Sequence, residues 1–275
     1  VPGARSMSDH YLQLDQNESD LLKYLGGKFN KVVVLLNTPT QFETGFLDDP
    51  GHYGYHENLK AALWLGYPGK TGIMALGRIL NGEVNPSGKT VDTWARDFKQ
   101  DPTWQNFSNN RESSGNRYSN LSGGNRSNYV IYKEGIYIGY RYYETRGFTE
   151  GLDNEYTATG SPNPKINGTD TTVWNDWYTA NVVYPFGHGL SYTTFSQELV
   201  DAPVNGTVIT ENSDISLTVK VTNTGARAGK ETVQIFYTAP YFGGEIEKAH
   251  VVLGGFTKTN LLEPGESQNV TVVFK

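Results

Sequence analysis

Two glycines flank a histidine in the stretch Tyr184-Pro185-Phe186-Gly187-His188-Gly189-Leu190-Ser191-Tyr192-Thr193-Thr194-Phe195, and a run of strand formers follows. Gly187 and Gly189 allow a positive φ or a close backbone approach that a Cβ would forbid, and Pro185 fixes the angle at which the chain enters. The stretch reads as a hinge. The pattern on its N-terminal side is α/β and the pattern on its C-terminal side is all-β.

On the N-terminal side, Leu21, Leu22 and Leu25 recur at helical spacing over residues 16–25, behind Asn17 as N-cap and Asp20 in a loose capping-box position. Gly26-Gly27 ends that helix. Lys31-Val32-Val33-Val34-Leu35-Leu36-Asn37 is a short apolar β-branched run, the pattern of a parallel strand buried on both faces. Ala61-Ala62-Leu63-Trp64-Leu65 repeats it, and Gly66 to Gly72 turn the chain into a helix over 73–80. A helix followed by buried strands implies an α/β layered domain, whose ligands sit beyond the carboxyl ends of its strands. Residues 97–128 are rich in Asn, Ser, Gly and Arg and read as a long loop; residues 129–143 are aromatic and strand-like. A second polar insertion, 145–181, leads to the glycine stretch.

From residue 198 onward the pattern alternates. Strands are expected over 215–222, 231–237, 250–256 and 269–274, with Gly- and Pro-bearing turns between them, as in a β-sandwich.

The bulk properties remove several classes of function. A net charge of −6 and a pI near 5.4 disfavour a nucleic-acid partner, which needs clustered Lys and Arg. The longest aliphatic run, Val32 to Leu36, is far short of the roughly 20 residues of a membrane span, so no membrane partner is expected. With no cysteine there is neither a disulfide nor a thiolate metal site.

The candidate site residues lie in two loops. His52 and His56 stand four apart beside Glu57, which on a helix would make two metal ligands; the intervening Gly54 and the lack of a third ligand argue instead for a loop. In that loop, with Tyr53 between them, they contact sugar hydroxyls or serve plain loop structure. Trp104 and Tyr118 sit in polar sequence with no core of their own to join, which points to stacking on a sugar ring or to packing against another domain. The abundance of Tyr, Trp and Gly suits either a sugar-binding protein or ordinary Tyr- and Gly-rich strands. His188 satisfies backbone groups in a tight corner, and Trp64, following a buried strand, is read as a core residue ahead of the alternative of a sugar platform. No metal and no cofactor is expected.

The hinge, the segment Tyr132-Lys133-Glu134-Gly135-Ile136-Tyr137-Ile138-Gly139-Tyr140-Arg141-Tyr142-Tyr143, and the motifs Gly82-Glu83-Val84-Asn85-Pro86-Ser87-Gly88 and Pro68-Gly69 together resemble glycoside hydrolase family 3, the β-glucosidase and β-xylosidase family, in its C-terminal half. Val221 to Gln234 and Leu262 to Ser267 resemble the fibronectin type III-like domain that follows in that family. The resemblance implies an α/β sandwich domain over 1–196, its N-terminal part missing, and an incomplete fibronectin type III-like β-sandwich over 197–275, its last strands missing. It also implies a retaining, exo-acting β-glycosidase, most closely a β-glucosidase. In that family a (β/α)8 barrel supplies an aspartate nucleophile and the sandwich domain supplies a glutamate acid/base. That glutamate would precede Asp9-His10-Tyr11-Leu12-Gln13-Leu14, where this chain has Val1 to Met7 and no Glu. The chain is therefore expected to be inactive alone and to need the barrel, on the same precursor or another polypeptide. Self-association is left open. The rival reading is a non-catalytic carbohydrate-binding or scaffold module. Asn175-Asp176-Trp177 imitates the context of the family nucleophile but lies in a polar insertion.

Overall fold

The computed structural model describes residues 11–104, 132, 134–151 and 175–275. They form two compact units. One comprises Val1–Tyr67, Asp92–Pro185 and Tyr241–His250, and the other Pro68–Val91, Phe186–Pro240 and Val251–Lys275.

In the first unit, helix α1 spans Gln16–Gly26. Its N-cap is Asp15, not Asn17: the Asp15 carboxylate accepts from Glu18 N at 2.8 Å, and the Glu18 carboxylate accepts from Asp15 N at 2.8 Å. A carboxylate at the cap with Glu three residues on satisfies two orphan N–H groups reciprocally, which Asn17 with Asp20 could not do one turn later. Strand β1 (Val32–Leu36) runs parallel to β2 (Leu59–Trp64), pairing Val33 with Ala61, Val34 with Ala62, Leu35 with Leu63 and Leu36 with Trp64. Val34, Leu36 and Leu59 are buried with Phe42, Phe46 and Trp94, and Leu22, Ala62 and Trp64 pack against them. The expected burial on both faces does not occur, because Val33 and Leu35 remain 48% and 41% exposed.

The short strands β3 (Trp94–Ala95) and β4 (Val182–Tyr184) pair antiparallel. The strand expected over 129–143 is corrected within the described residues: 134–136 form a turn, and helix α4 spans Tyr140–Gly151. Gly139, at φ +58°, precedes the helix, and its carbonyl accepts from Tyr142 N and Tyr143 N. Aromatic residues favour strands locally, but tertiary packing overrides that preference here. Tyr143 is 1% exposed in a core with Ala95, Phe98 and Val182, and helix α5 (Asn175–Asn181) brings Trp177 and Tyr178 onto the same cluster. A Cβ at Gly147 would lie 2.7 Å from the Tyr178 ring, so α4 and α5 approach closely.

The second unit begins with helices α2 (Gly69–Gly72) and α3 (Met74–Leu80) and continues with five strands: β5 (Phe195–Asp201), β6 (Ile215–Asn223), β7 (Thr232–Tyr237), β8 (Val252–Lys258) and β9 (Ser267–Phe274). β5, β6 and β9 make one antiparallel sheet and β7 and β8 another. Val219, Val221, Val270 and Val272 meet Val233 and Leu262 in the core between them. A Cβ at Gly254 would come within 2.8 Å of the Phe274 ring, so glycine lets β8 lie close against β9. Four of these strands lie where the alternating pattern put them.

The glycine stretch enters this unit at Phe186. Gly187 adopts φ +79°, and its N–H donates to the Thr90 carbonyl at 2.8 Å. Gly189 has no left-handed backbone, but a Cβ there would overlap the Gly88 carbonyl oxygen. His188 N donates to Thr90 Oγ1 at 3.0 Å, and its carbonyl accepts from Thr90 N at 2.7 Å.

Candidate functional site

Residues 45–58 lie in the connection from β1 to β2, which ends at the amino end of the parallel pair, where the Asn58 carbonyl accepts from Val32 N at 2.8 Å. A single 3-10 turn, Gly45–Leu47, opens the segment, and turns closed by backbone bonds from His52 N to the Asp49 carbonyl and from Tyr55 N to the His52 carbonyl follow. His52 and His56 therefore lie on successive turns of a loop, not on one helix face. Each ring is held locally through Nδ1: His52 accepts from Gly54 N at 3.0 Å, and His56 accepts from Asn58 N at 3.1 Å. A ring that accepts at Nδ1 carries its hydrogen on Nε2, the donor tautomer. Burial lowers the pKa of His52 against the pull of Asp49 and Glu43, so the ring is neutral at neutral pH. Half-buried, it offers one N–H to a hydroxyl.

Tyr53, 51% exposed, donates from its hydroxyl to Asp20 Oδ1 at 2.6 Å, and Lys23 Nζ lies 3.9 Å from its ring centroid. The hydrogen bond to Asp20 raises the phenol pKa. Trp104 is placed elsewhere: half-buried, it packs against the cluster of Ala95, Phe98, Tyr143 and Val182. The reading that it has no core to join is thus corrected; polar neighbours in sequence hid a core assembled from β3, β4 and α4. Tyr118 lies outside the described residues, as do the side chains of Asn175 and Asp176. Trp64 donates from its indole to the Thr38 carbonyl at 2.9 Å and packs edge-on to Trp94, as a core residue does. Among the described residues no group of three His, Asp or Glu side chains is arranged to hold a metal ion.

Sequence reasoning missed the pair that anchors this loop. Arg96, just after β3, forms a two-pronged ion pair with Asp48: Nη2 donates to Oδ2 at 2.7 Å and Nη1 to Oδ1 at 2.5 Å. Its Nε donates to the Thr179 carbonyl at 3.3 Å and its backbone N to the Asn181 carbonyl at 2.9 Å. Gly45 sits against both the His52 ring and the Arg96 side chain, so the pair flanks the histidine. Tyr184 faces the same carboxylate, which together with burial raises its pKa. Nothing in local sequence links Asp48 to Arg96; the bond from Thr44 N to the Ala95 carbonyl at 3.2 Å and that from Phe98 N to Glu43 Oε1 at 2.8 Å bring their segments together.

The parallel pair β1–β2 with helix α1 before it defines an α/β domain, and the loop between its strands carries a half-buried histidine and an exposed tyrosine. The chain belongs to glycosyl hydrolase family 3: residues 4–140 match the model of that family's C-terminal domain. It is 34% identical over 94% of its length to β-glucosidase A of Butyrivibrio fibrisolvens, covering 26% of that protein, and 31% identical over 94% of its length to a β-glucosidase of Ruminococcus albus, covering 21%. Among solved structures, a β-glucosidase from Paenibacillus barengoltzii superposes with a TM-score of 0.69 at 30% identity, over 96% of this chain and 23% of the other. β-Glucosidase 3B from Thermotoga neapolitana in complex with α-D-glucose gives 0.66 at 29% identity, over 96% and 29%. The chain spans about a quarter of the length of the curated relatives it matches.

Proposed function

We propose that this chain is the sandwich-domain portion of a retaining, exo-acting β-glycosidase, a β-glucosidase in particular, and that it forms one wall of a site completed by a (β/α)8 barrel. The observation that carries the reading is the match of nearly the whole chain to β-glucosidases about four times as long. In this reading residues 1–196 belong to the sandwich domain and 197–275 to a fibronectin type III-like domain. His52, Tyr53 and His56 meet the sugar from the 45–58 loop, and Trp104 and Tyr118 contribute from the separate segment 97–128; the Nε2–H of His52 donates to a pyranose hydroxyl, while Asp48 and Arg96 hold the loop in place.

Retaining hydrolysis needs two carboxyl groups about 5 to 5.5 Å apart on either side of the glycosidic bond, one acting as nucleophile and one as acid then base. The nucleophile belongs to the barrel, and Val1 to Met7 contain no Glu to serve as the acid. The purified 275-residue chain should therefore not hydrolyse an aryl β-glucoside, and hydrolysis at an ordinary enzymatic rate of about 1 per second or more would refute this. A second reading is a non-catalytic carbohydrate-binding or scaffold module. Calorimetry of the isolated chain with glucose and cellobiose separates the two: a module binds alone, whereas one wall of a shared site does not.

A further inference from the structure

Three Asn-Gly pairs occur in the chain: Asn81-Gly82, Asn167-Gly168 and Asn205-Gly206. An asparagine in such a pair can react with its own backbone. The glycine nitrogen, once deprotonated, attacks the asparagine Cγ, and glycine has no side chain to shield that nitrogen or to restrict the rotation that brings the two atoms together. Asn167-Gly168 lies outside the described residues. The other two pairs are held in different ways. Asn81 is the C-cap of α3, and both of its reacting groups are engaged there: its Oδ1 accepts from Glu83 N at 2.9 Å, and Gly82 N donates to the Ile79 carbonyl at 3.0 Å. The Gly82 carbonyl in turn accepts from Arg227 Nη1 at 3.1 Å. Attack at Asn81 therefore requires the helix end to open. Asn205-Gly206 lies in the connection from β5 to β6, at the tip of an exposed turn. Thr207 N and Thr207 Oγ1 both donate to the Val204 carbonyl, at 3.1 and 2.7 Å, so the bonds that close this turn sit on either side of the reacting pair. Gly206 adopts φ +90° with nothing within 4 Å of the position a Cβ would take, and Val204 and Val208 are 77% and 83% exposed.

We propose that Asn205 is a site of self-modification, deamidation through a cyclic imide with water as the co-reactant, and that the fold holds Asn81 back from the same reaction. The Gly206 nitrogen gives its proton to hydroxide and bonds to Asn205 Cγ; the side-chain nitrogen takes a proton from water and leaves as ammonia, which closes a succinimide ring. Water then opens the ring at one of its two carbonyls. Addition at the side-chain carbonyl leaves aspartate, and addition at the backbone carbonyl leaves isoaspartate, whose chain runs through Cβ and is one methylene longer. No electron is transferred: an amide and water become a carboxylate and ammonium. Either product adds one negative charge to a chain of net charge −6, in a segment that already carries Asp201, Glu211 and Asp214, so the modified form separates by charge. The inference stands apart from the glycosidase reading, because it needs this turn alone.

The test is ageing of the 275-residue chain at mildly alkaline pH, folded and in urea. Cleavage at Glu198 and Glu211 isolates Asn205 from the other two pairs, and peptide mass gives the extent of conversion at each site. Isoaspartate is identified with an isoaspartyl carboxyl methyltransferase and labelled S-adenosylmethionine, which methylates the α-carboxyl group that isoaspartate frees. In the folded chain Asn205 should convert at least about tenfold faster than Asn81, and in urea the two rates should converge, because opening of the helix end is what separates them. Comparable rates in the folded chain would overturn the proposal, as would a tenfold difference that persists in urea. So would an Asn205 that stays intact in the folded chain over the time the unfolded chain takes to convert. Asn205→Gln keeps the amide but lengthens the side chain beyond easy ring closure, and should abolish methylation of the 199–211 peptide; methylation that survives in that peptide places the isoaspartate elsewhere and refutes the assignment.

Discussion

In the β5–β6–β9 sheet, Val219, Val221, Val270 and Val272 face a core that the β7–β8 pair closes, while Thr218, Thr222, Ser267 and Thr271 face water. In the β1–β2 pair the inward side is equally well filled by Val34, Leu36 and Trp64, yet the outward side shows Val33 and Leu35 instead of hydroxyls. The alternation has the same period in both. What differs is the chemistry of these outward residues, hydroxyls across β6 and β9 and aliphatic groups on β1.

The contrast is tested most severely where the antiparallel unit is tied together. Asn223 is fully buried; its Oδ1 accepts from Thr193 Oγ1 at 2.8 Å and Gly225 N at 3.1 Å, and its Nδ2 donates to the Arg227 and Leu262 carbonyls at 2.8 Å each. Asn223→Ala removes four bonds and strands buried partners without water, so a loss of about 3 kcal/mol in urea unfolding is expected. A loss below about 1 kcal/mol would mean that this unit does not depend on its own interior, and the contrast would weaken.

A smaller effect is expected at the glycine stretch. Gly187→Val meets φ +79° and the Gln234 side chain, which can move aside; Gly189→Val meets the Gly88 carbonyl, which cannot. Each should cost more than about 1 kcal/mol, the second more than the first. Unchanged melting temperatures in both variants would show that these glycines are not required by backbone geometry.

Much of this was legible in the sequence. The period of two over 215–274 located β6 to β9, because each strand buries one face within the chain and so obeys a local rule. The same logic located β1 and β2 but misjudged their burial: a continuous Val-Val-Val-Leu-Leu run reads as covered on both faces, whereas Val33 and Leu35 stay half exposed. Tyr140 to Tyr143 were misread as strand, since what makes them helical is Tyr143 packing on Ala95, Phe98 and Val182, residues distant in sequence. The Asp48–Arg96 pair and the core contact of Trp104 were invisible for the same reason.

The pH response compares the two units through their histidines. Burial lowers the pKa of His52 and His250 in the first unit and of His188 in the second, where Lys89 adds to the effect. In the unfolded chain each ring takes up a proton near 6.5, while the folded ring stays neutral to lower pH. The unfolded state then binds more protons, so stability falls as pH drops below that value and is insensitive to these rings well above it. Urea midpoints at about pH 7.5 and pH 5.5 should differ in that direction, and His188→Gln should reduce the difference only in part. An unchanged midpoint would mean that the three rings titrate alike in both states.

The smallest effect is expected where the outward faces themselves are exchanged. Lys at positions 33 and 35 places two charges on a face already open to water, so the Val33→Lys, Leu35→Lys double variant of the isolated chain should keep its stability within about 0.5 kcal/mol. The same exchange one residue over, Val34→Lys, would bury a charge among Leu36, Phe46 and Trp94 and should abolish folding. If the double variant unfolds the isolated chain, that face is already interior here, and the two sheets do not differ in the way their outward residues indicate.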